Sequence, residues 1–136
     1  MGTRSEIIIK DYWTNKQTGG VTTKKVKLYH HYDGYPEGVG KFLMREIYPK
    51  LISSNNMDID VIANKLLKSE EDNTFELTVY NHVDIEYLYE IDIPKKEIKC
   101  WLAHYTSWDS PTTRCIKGEE QDLSVYAPQS VKSSYC

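Results

Sequence analysis

Residues 29–40, YHHYDGYPEGVG, separate strand-like sequence from helix-like sequence and so decide where the fold changes character. The run before them alternates, with Leu28 and His30 on one predicted face, as in a half-buried β-strand. The run after them, KFLMREIY, has apolar residues at helical spacing. Asp33 and Gly34 alone suffice for a chain reversal. The additional aromatic and ionisable side chains therefore predict a functional loop.

The sequence outward from this loop predicts an α+β fold. A Gly19-Gly20 turn before the loop predicts a β-hairpin, and Pro49 is expected to kink or end the first helix near Tyr48. The order ββααβββ indicates an antiparallel sheet with two helices packed on one face. The predicted elements are strands over 4–13 and 21–32, helices over 39–53 and from Asp58 onward, and strands over 74–80, 85–93 and 97–105.

The chain of 136 residues predicts one α+β domain over residues 1–105. Residues 106–136 are poor in apolar residues and show no sustained period, so we expect an extended C-terminal wrap or tail there. Eleven tyrosines against two phenylalanines suit either a wet sheet face or a recognition surface.

Charge and cysteine content make several classes of protein less favoured than others. A net charge of −3 without a dense basic stripe disfavours DNA groove binding, whereas a small nucleotide needs only one or two local cations. The cysteines Cys100, Cys115 and Cys136 form no CxxC pair, and no secretory or membrane-spanning segment is predicted. We therefore expect a cytoplasmic protein with free thiols, no metal site, no cofactor and no membrane contact.

Glycines 34, 38 and 40 stand immediately before the first predicted helix. Backbone amides at a helix N-terminus lack intrahelical partners and attract anions, so this spacing is compatible with a phosphate site. It matches neither the P-loop nor the dinucleotide fingerprint. The alternative is that the glycines only provide backbone freedom.

His31 and Asp33 share a face if the second strand persists, and they form the predicted acid–base pair. The pair is suited to catalysis, to ligand binding or to holding the loop. The hairpin brings Arg4 close to both side chains, where its guanidinium binds a phosphate or forms an ion pair with Asp33. Trp108 is a candidate for base stacking, against the alternative of core or edge packing.

The opening MGTRS, the motif YxHxDGYPxGxG over residues 29–40, and the late strand Glu86-Tyr87-Leu88-Tyr89 followed by Trp101 carry a resemblance. Over residues 1–105 the chain resembles uncharacterised small phage and prophage proteins that open MGTRS or MGCRS and carry YxHWDGYPxxxG. It departs from them at Tyr32, where they have tryptophan, and in the tail.

The resemblance implies a phage or prophage source, and small acidic phage proteins often counter host defence. The first hypothesis is an anti-defence protein that sequesters a nucleotide immune signal, of cyclic nucleotide or ADP-ribose type. Its expected ligand-binding residues are Arg4, His31, Asp33, Gly34, Tyr35, Gly38, Gly40 and Trp108. The second is a metal-independent phosphodiesterase that uses His31 and Asp33, and the third is a protein inhibitor of a host defence nuclease. The aromatic surface also permits a homo-oligomer.

Overall fold

The structure is a computed structural model that describes residues 3–30, 34–53, 58–68, 75–78, 85–105 and 115–126. Two α-helices pack on one face of a six-stranded sheet with the strand order β3-β2-β1-β4-β5-β6. The strands are β1 (Ser5–Thr14), β2 (Val21–His30), β3 (Phe75–Leu77), β4 (Tyr87–Asp92), β5 (Glu97–Tyr105) and β6 (Cys115–Gln121). The helices are α1 (Tyr48–Ser53) and α2 (Ile59–Leu67).

The α+β class is confirmed, but the wholly antiparallel sheet is wrong. β1 and β4 run parallel, with Ser5 beside Tyr87 and Lys10 beside Asp92, and the other four neighbouring pairs are antiparallel. The sheet is therefore mixed. Side chains alternate with a period of two in both kinds of strand, so the sequence pattern could not distinguish them.

A sixth strand extends the order ββααβββ. β6 pairs with β5 at one edge of the sheet, and the buried Leu123 follows it into the core. The strand lies within residues 106–136, where the sequence predicts a wrap or tail. A domain boundary at residue 105 stays a prediction, although residues 115–126 are attached to the sheet.

The first helical segment contains two wide turns. Pro36–Gly40 and Leu43–Ile47 are π-helical, and the segment continues into α1. Pro49 lies within this continuous segment, directly after the second wide turn, and the segment continues past it to Ser53, so the helix does not end near Tyr48. The second predicted helix begins as expected, because the Asp58 carboxylate accepts a hydrogen bond from the Asp60 amide at 3.0 Å.

The main core lies between the helices and one face of the sheet, here called the core face. It joins Ile7, Ile9 and Leu28 of the hairpin to Leu43 and Leu66 of the helical segments. The opposite face carries a smaller apolar cluster around a buried Leu88. In the part of the chain described, no helix has both the length and the apolar character needed to cross a membrane.

Candidate ligand site at the loop end of the sheet

Three strands meet at one end of the sheet, here called the loop end. Ser5 pairs with His30 and with Tyr87, so β1 and β4 begin where β2 ends. Arg4 is exposed just before β1, and its carbonyl accepts a hydrogen bond from the Glu86 amide at 2.8 Å. The predicted hairpin is thus confirmed, and it brings the backbone of Arg4 to the end of the second strand.

Gly34 allows the loop to approach the first strand closely. Its N–H donates to the Thr3 carbonyl at 2.8 Å, and a Cβ atom added to it would lie 2.8 Å from both Ser5 Cβ and that carbonyl oxygen. Both distances are too short for a real side chain. Among the described glycines only Gly19 has a positive φ, so Gly34 is required for space and not for backbone conformation.

Two of the three glycine amides are used within the protein. Besides the Gly34 bond to Thr3, the Gly38 N–H donates to the Tyr35 carbonyl at 2.9 Å. The Tyr89 hydroxyl lies close to the third glycine, since a Cβ atom added to Gly40 would be 3.5 Å from it. A phosphate at this helix start would have to compete with these bonds. The glycine amides therefore give less support to an anion site than their spacing suggests.

Tyr89 holds the two ends of the loop together. Its buried hydroxyl donates to the Gly34 carbonyl at 2.6 Å and lies close to Gly40, where an added Cβ atom would be 3.5 Å away. Burial raises the pKa of Tyr89 far above its ordinary value, and the neighbouring Cys100 adds to that effect. Burial also raises the pKa of the Cys100 thiol to about 12. Both groups are therefore neutral at physiological pH, and Tyr89 acts as a structural clamp.

Tyrosines and one carboxylate surround the start of the helical segment. Tyr35 is 37% exposed beside Gly34, and Tyr126 lies close enough to Glu37 for that carboxylate to affect the pKa of the tyrosine. Burial, followed by the charge of Glu37, raises the pKa of Tyr126. Tyr87 lies near enough for Glu37 to contribute to its raised pKa as well, after burial and Cys100. These side chains offer aromatic surfaces and a hydrogen-bond acceptor.

The Ser5 hydroxyl is fully buried and has no hydrogen-bond partner among the described residues. It lies against Gly34, since a Cβ atom added to that glycine would be 2.8 Å from Ser5 Oγ. Leaving a buried hydroxyl unpaired costs about 1–3 kcal/mol. Uncompensated polar groups of this kind are uncommon and often mark functional positions.

Three of the predicted site residues, His31, Asp33 and Trp108, lie outside the described residues. Their roles stay predictions. In the ranges that the structure covers, no group of three or more histidine, cysteine or acidic residues is arranged to hold a metal ion.

Sequence reasoning missed three side chains at the loop end: Glu37, Tyr89 and Tyr126. Glu37 stands inside the loop motif, but the functional prediction there comes from the glycines beside it. Tyr89 belongs to the strand predicted over 85–93, but the alternation of that strand gives no indication of its bond to Gly34. Tyr126 lies 86 residues beyond Gly40, and no local pattern connects them.

Comparisons of this chain with protein-family models, with curated proteins and with solved structures found no match.

Proposed function

We propose that this chain is a phage-encoded anti-defence protein that binds and sequesters a small nucleotide immune signal at the loop end. The proposal combines the resemblance to phage proteins with the chemistry of this surface. The observation that carries it is the register of β1, which brings Arg4 to the same end of the sheet as Tyr35 and Glu37.

Each part of a nucleotide has a counterpart there. The Arg4 guanidinium is suited to a phosphate, because its planar donors match phosphate oxygens. Tyr35 and Tyr126 provide faces on which a base can stack. The Glu37 carboxylate is suited to ribose hydroxyls or to a base amino group, and it would repel a phosphate placed directly beside it. We therefore expect the phosphate near Arg4 and the nucleoside near Glu37.

The test is direct binding followed by recovery of the ligand. Purified protein is incubated with cyclic mononucleotides, cyclic dinucleotides and ADP-ribose derivatives, and binding is measured by calorimetry. The mixture is then heated and the released ligand is analysed by chromatography. A sequestering protein returns the nucleotide intact, and altered product would instead support the phosphodiesterase that uses His31 and Asp33.

Arg4→Gln is the diagnostic variant, and Arg45→Gln is its matched control, because Arg45 is also exposed but lies in the helical segment. Losing one charged contact to phosphate should weaken binding by about tenfold or more. Both variants should melt within a few degrees of the wild type. Equal affinities for the two variants would contradict the proposed site.

A protein inhibitor of a defence nuclease is the third hypothesis, and the same experiment addresses it. Such an inhibitor would bind none of the nucleotides and would co-elute with the nuclease. No described residue favours it over nucleotide binding.

A further inference from the structure

The hairpin of β1 and β2 projects at the end of the sheet opposite the loop end, and its outer part, residues 11–25, is here called the arm. β1 and β2 stay paired as far as Thr14 and Val21, whereas β4 pairs with β1 only up to Lys10. β3 pairs only with the last three residues of β2. Among the described residues, the arm therefore has no sheet neighbour on either side.

The outer edge of β2 presents backbone donors and acceptors in the arm. The Lys27 carbonyl accepts a hydrogen bond from the Thr78 amide at 3.0 Å, so the backbone groups of Lys27 point away from β1. The N–H and C=O groups of alternate residues in a strand point to the same side, so those of Val21, Thr23 and Lys25 also point outward. Each of these three residues offers one donor and one acceptor to an added strand.

The outer edge of β2 is exposed, and a hydrogen-bonded turn supports it. Residues 21–25 are all exposed, and Val21 is 65% exposed. At the tip of the arm, the Asn15 N–H donates to the Gly20 carbonyl at 2.8 Å, and the Gly19 N–H donates to the Asn15 carbonyl at 2.8 Å. An isolated two-stranded ribbon is only marginally stable. The bonded turn therefore helps to keep the edge extended for an incoming strand.

The outer edge of β2 is also positively charged. Residues 12–28 contain four lysines and no acidic residue. Two of these lysines, Lys24 and Lys25, lie in the exposed part of β2, on opposite faces of the sheet, because successive side chains of a strand alternate. In the part of the chain that the structure describes, neither ammonium forms an ion pair. A strand added to this edge would therefore meet one unpaired lysine on each face.

The neighbouring charges on β1 do not cancel those of the edge. Asp11 lies directly opposite Lys24, but it belongs to β1, on the inner side of β2. Because neighbouring strands are about 4.8 Å apart, a strand added beside β2 would lie about twice as far from β1 as from β2. Lys10, which lies opposite Lys25, is already paired with Glu90 at 3.0 Å. The charge that an added strand meets directly is therefore positive on both faces.

The lysines also select between the possible partners. Lysines at an open edge oppose pairing between two copies of the same strand, because like charges on neighbouring strands repel. They favour a strand that places acidic side chains opposite them. We propose that the outer edge of β2 in the arm binds an extended acidic segment of a partner protein, which joins the sheet as a further strand. This inference concerns the end of the sheet opposite the nucleotide site and does not depend on that site.

Fluorescence anisotropy of short labelled peptides, measured with the full chain, tests the proposal. The acidic probe is a run of threonine and valine with two adjacent glutamates, so that one carboxylate meets Lys24 and the other meets Lys25. The control probe has lysines in place of the glutamates. The acidic peptide should bind at least about tenfold more tightly, since both side-chain pairs change from attraction to repulsion in the control. Binding of neither peptide, or equal binding of both, would overturn the proposal.

Proline on the edge distinguishes strand pairing along β2 from a general attraction to the arm. Thr23→Pro removes an N–H that points outward and leaves the bonds between β1 and β2 in place, so it should abolish binding of the acidic peptide. Thr14→Pro is the matched control. The Lys10 carbonyl accepts from the Ile93 amide at 3.0 Å, so the alternate residues of β1 up to Thr14 point their backbone groups to the other edge of the arm. If both prolines weaken binding equally, the edge of β2 is not the site.

Charge reversal keeps the proposal testable even if proline disturbs the arm. Lys25→Glu should weaken binding of the acidic peptide and strengthen binding of the lysine peptide, a reversal that unfolding of the arm does not produce. Lys41→Glu, at an exposed lysine of the helical segment, should leave both affinities unchanged. An unaltered preference in Lys25→Glu would contradict the proposal. A wild-type dimer that Thr23→Pro dissociates, measured by sedimentation, would show that a second copy occupies the edge and would also overturn it.

Discussion

The two ends of the sheet differ in how their glycines are used. At the loop end, Gly34 is packed so tightly that a methyl group would collide with Ser5 and Thr3. At the opposite end, the hairpin of residues 11–25, called the arm, projects beyond the neighbouring strands. There Gly19 has open space around its Cα atom but a φ of +74°, which residues with a side chain avoid. The first glycine is required by packing and the second by conformation. One end is built into the core, whereas the other projects from it.

Gly34→Ala should have the largest effect on stability. The added methyl group must displace Ser5 and the Thr3 backbone, which should lower the free energy of unfolding by about 3 kcal/mol. Gly20→Ala is the control, because the nearest atom to its added Cβ is Thr18 Oγ1 at 3.5 Å. Chemical denaturation measures both. Equal losses would show that the loop end is not tightly packed.

Tyr89→Phe should have the next largest effect. It leaves the buried Gly34 carbonyl without its side-chain partner, at a cost of about 2 kcal/mol. Tyr12→Phe removes a hydroxyl bonded to Asp92 at 3.3 Å in a partly buried position, and it should cost less than about 1 kcal/mol. If the order of the two losses is reversed, Tyr89 is not the clamp of the loop.

Alkaline pH should destabilise the protein through Cys100, the buried neighbour of Tyr89. The native Cys100 thiol keeps its proton up to a pKa of about 12, whereas the unfolded thiol releases it near 9.0. The native state therefore binds more protons between these values, and the free energy of unfolding falls by up to about 1.4 kcal/mol per pH unit. Cys100→Ser does not titrate and should show a shallower fall between pH 9 and 11. If the free energy of unfolding falls as steeply in Cys100→Ser as in the wild type, a group other than Cys100 causes the loss.

Gly19→Ala tests the arm and should have a smaller effect. Holding alanine at a left-handed φ costs about 1 kcal/mol. The loss should appear as faster amide exchange within residues 11–25, with the exchange of β4 and β5 unchanged, because the arm has no described sheet neighbour. Uniformly faster exchange would mean that the arm and the core unfold as one unit.

Ser5→Ala should have the smallest effect on the free protein. Removing a buried hydroxyl without a described partner should leave the free energy of unfolding unchanged or raise it by up to about 1 kcal/mol. Differential scanning calorimetry gives the comparison. A loss above about 1 kcal/mol would indicate that the hydroxyl bonds to a group outside the described residues.

Local patterns predicted the elements of the fold well, and long-range pairing poorly. Alternation gave the opening hairpin, and helical spacing with the Asp58 cap gave α2. The parallel pairing of β1 with β4 was not predictable, because a strand's period does not record its neighbour's direction. β6 was missed because the sequence CIKGEEQ is largely polar, as an edge strand is allowed to be.

The candidate site was predicted in part for the same reason. The position of Arg4 followed from hairpin pairing alone. The contacts of Glu37 with Tyr126, and of Tyr89 with Gly34, depend on tertiary packing over more than fifty residues of sequence. The spacing of the glycines suggested an anion site, but it could not show that the amides of Gly34 and Gly38 already have partners.

The central claim is that the loop end binds a nucleotide, and hydrogen–deuterium exchange with and without the tightest-binding nucleotide tests it most directly. We predict slower amide exchange in residues 34–40, which include Tyr35, and at the start of β1, next to Arg4. Exchange in residues 11–25 should not change. Slower exchange only in residues 11–25 or only in residues 120–124 at the end of β6, with residues 34–40 unchanged, would contradict the claim.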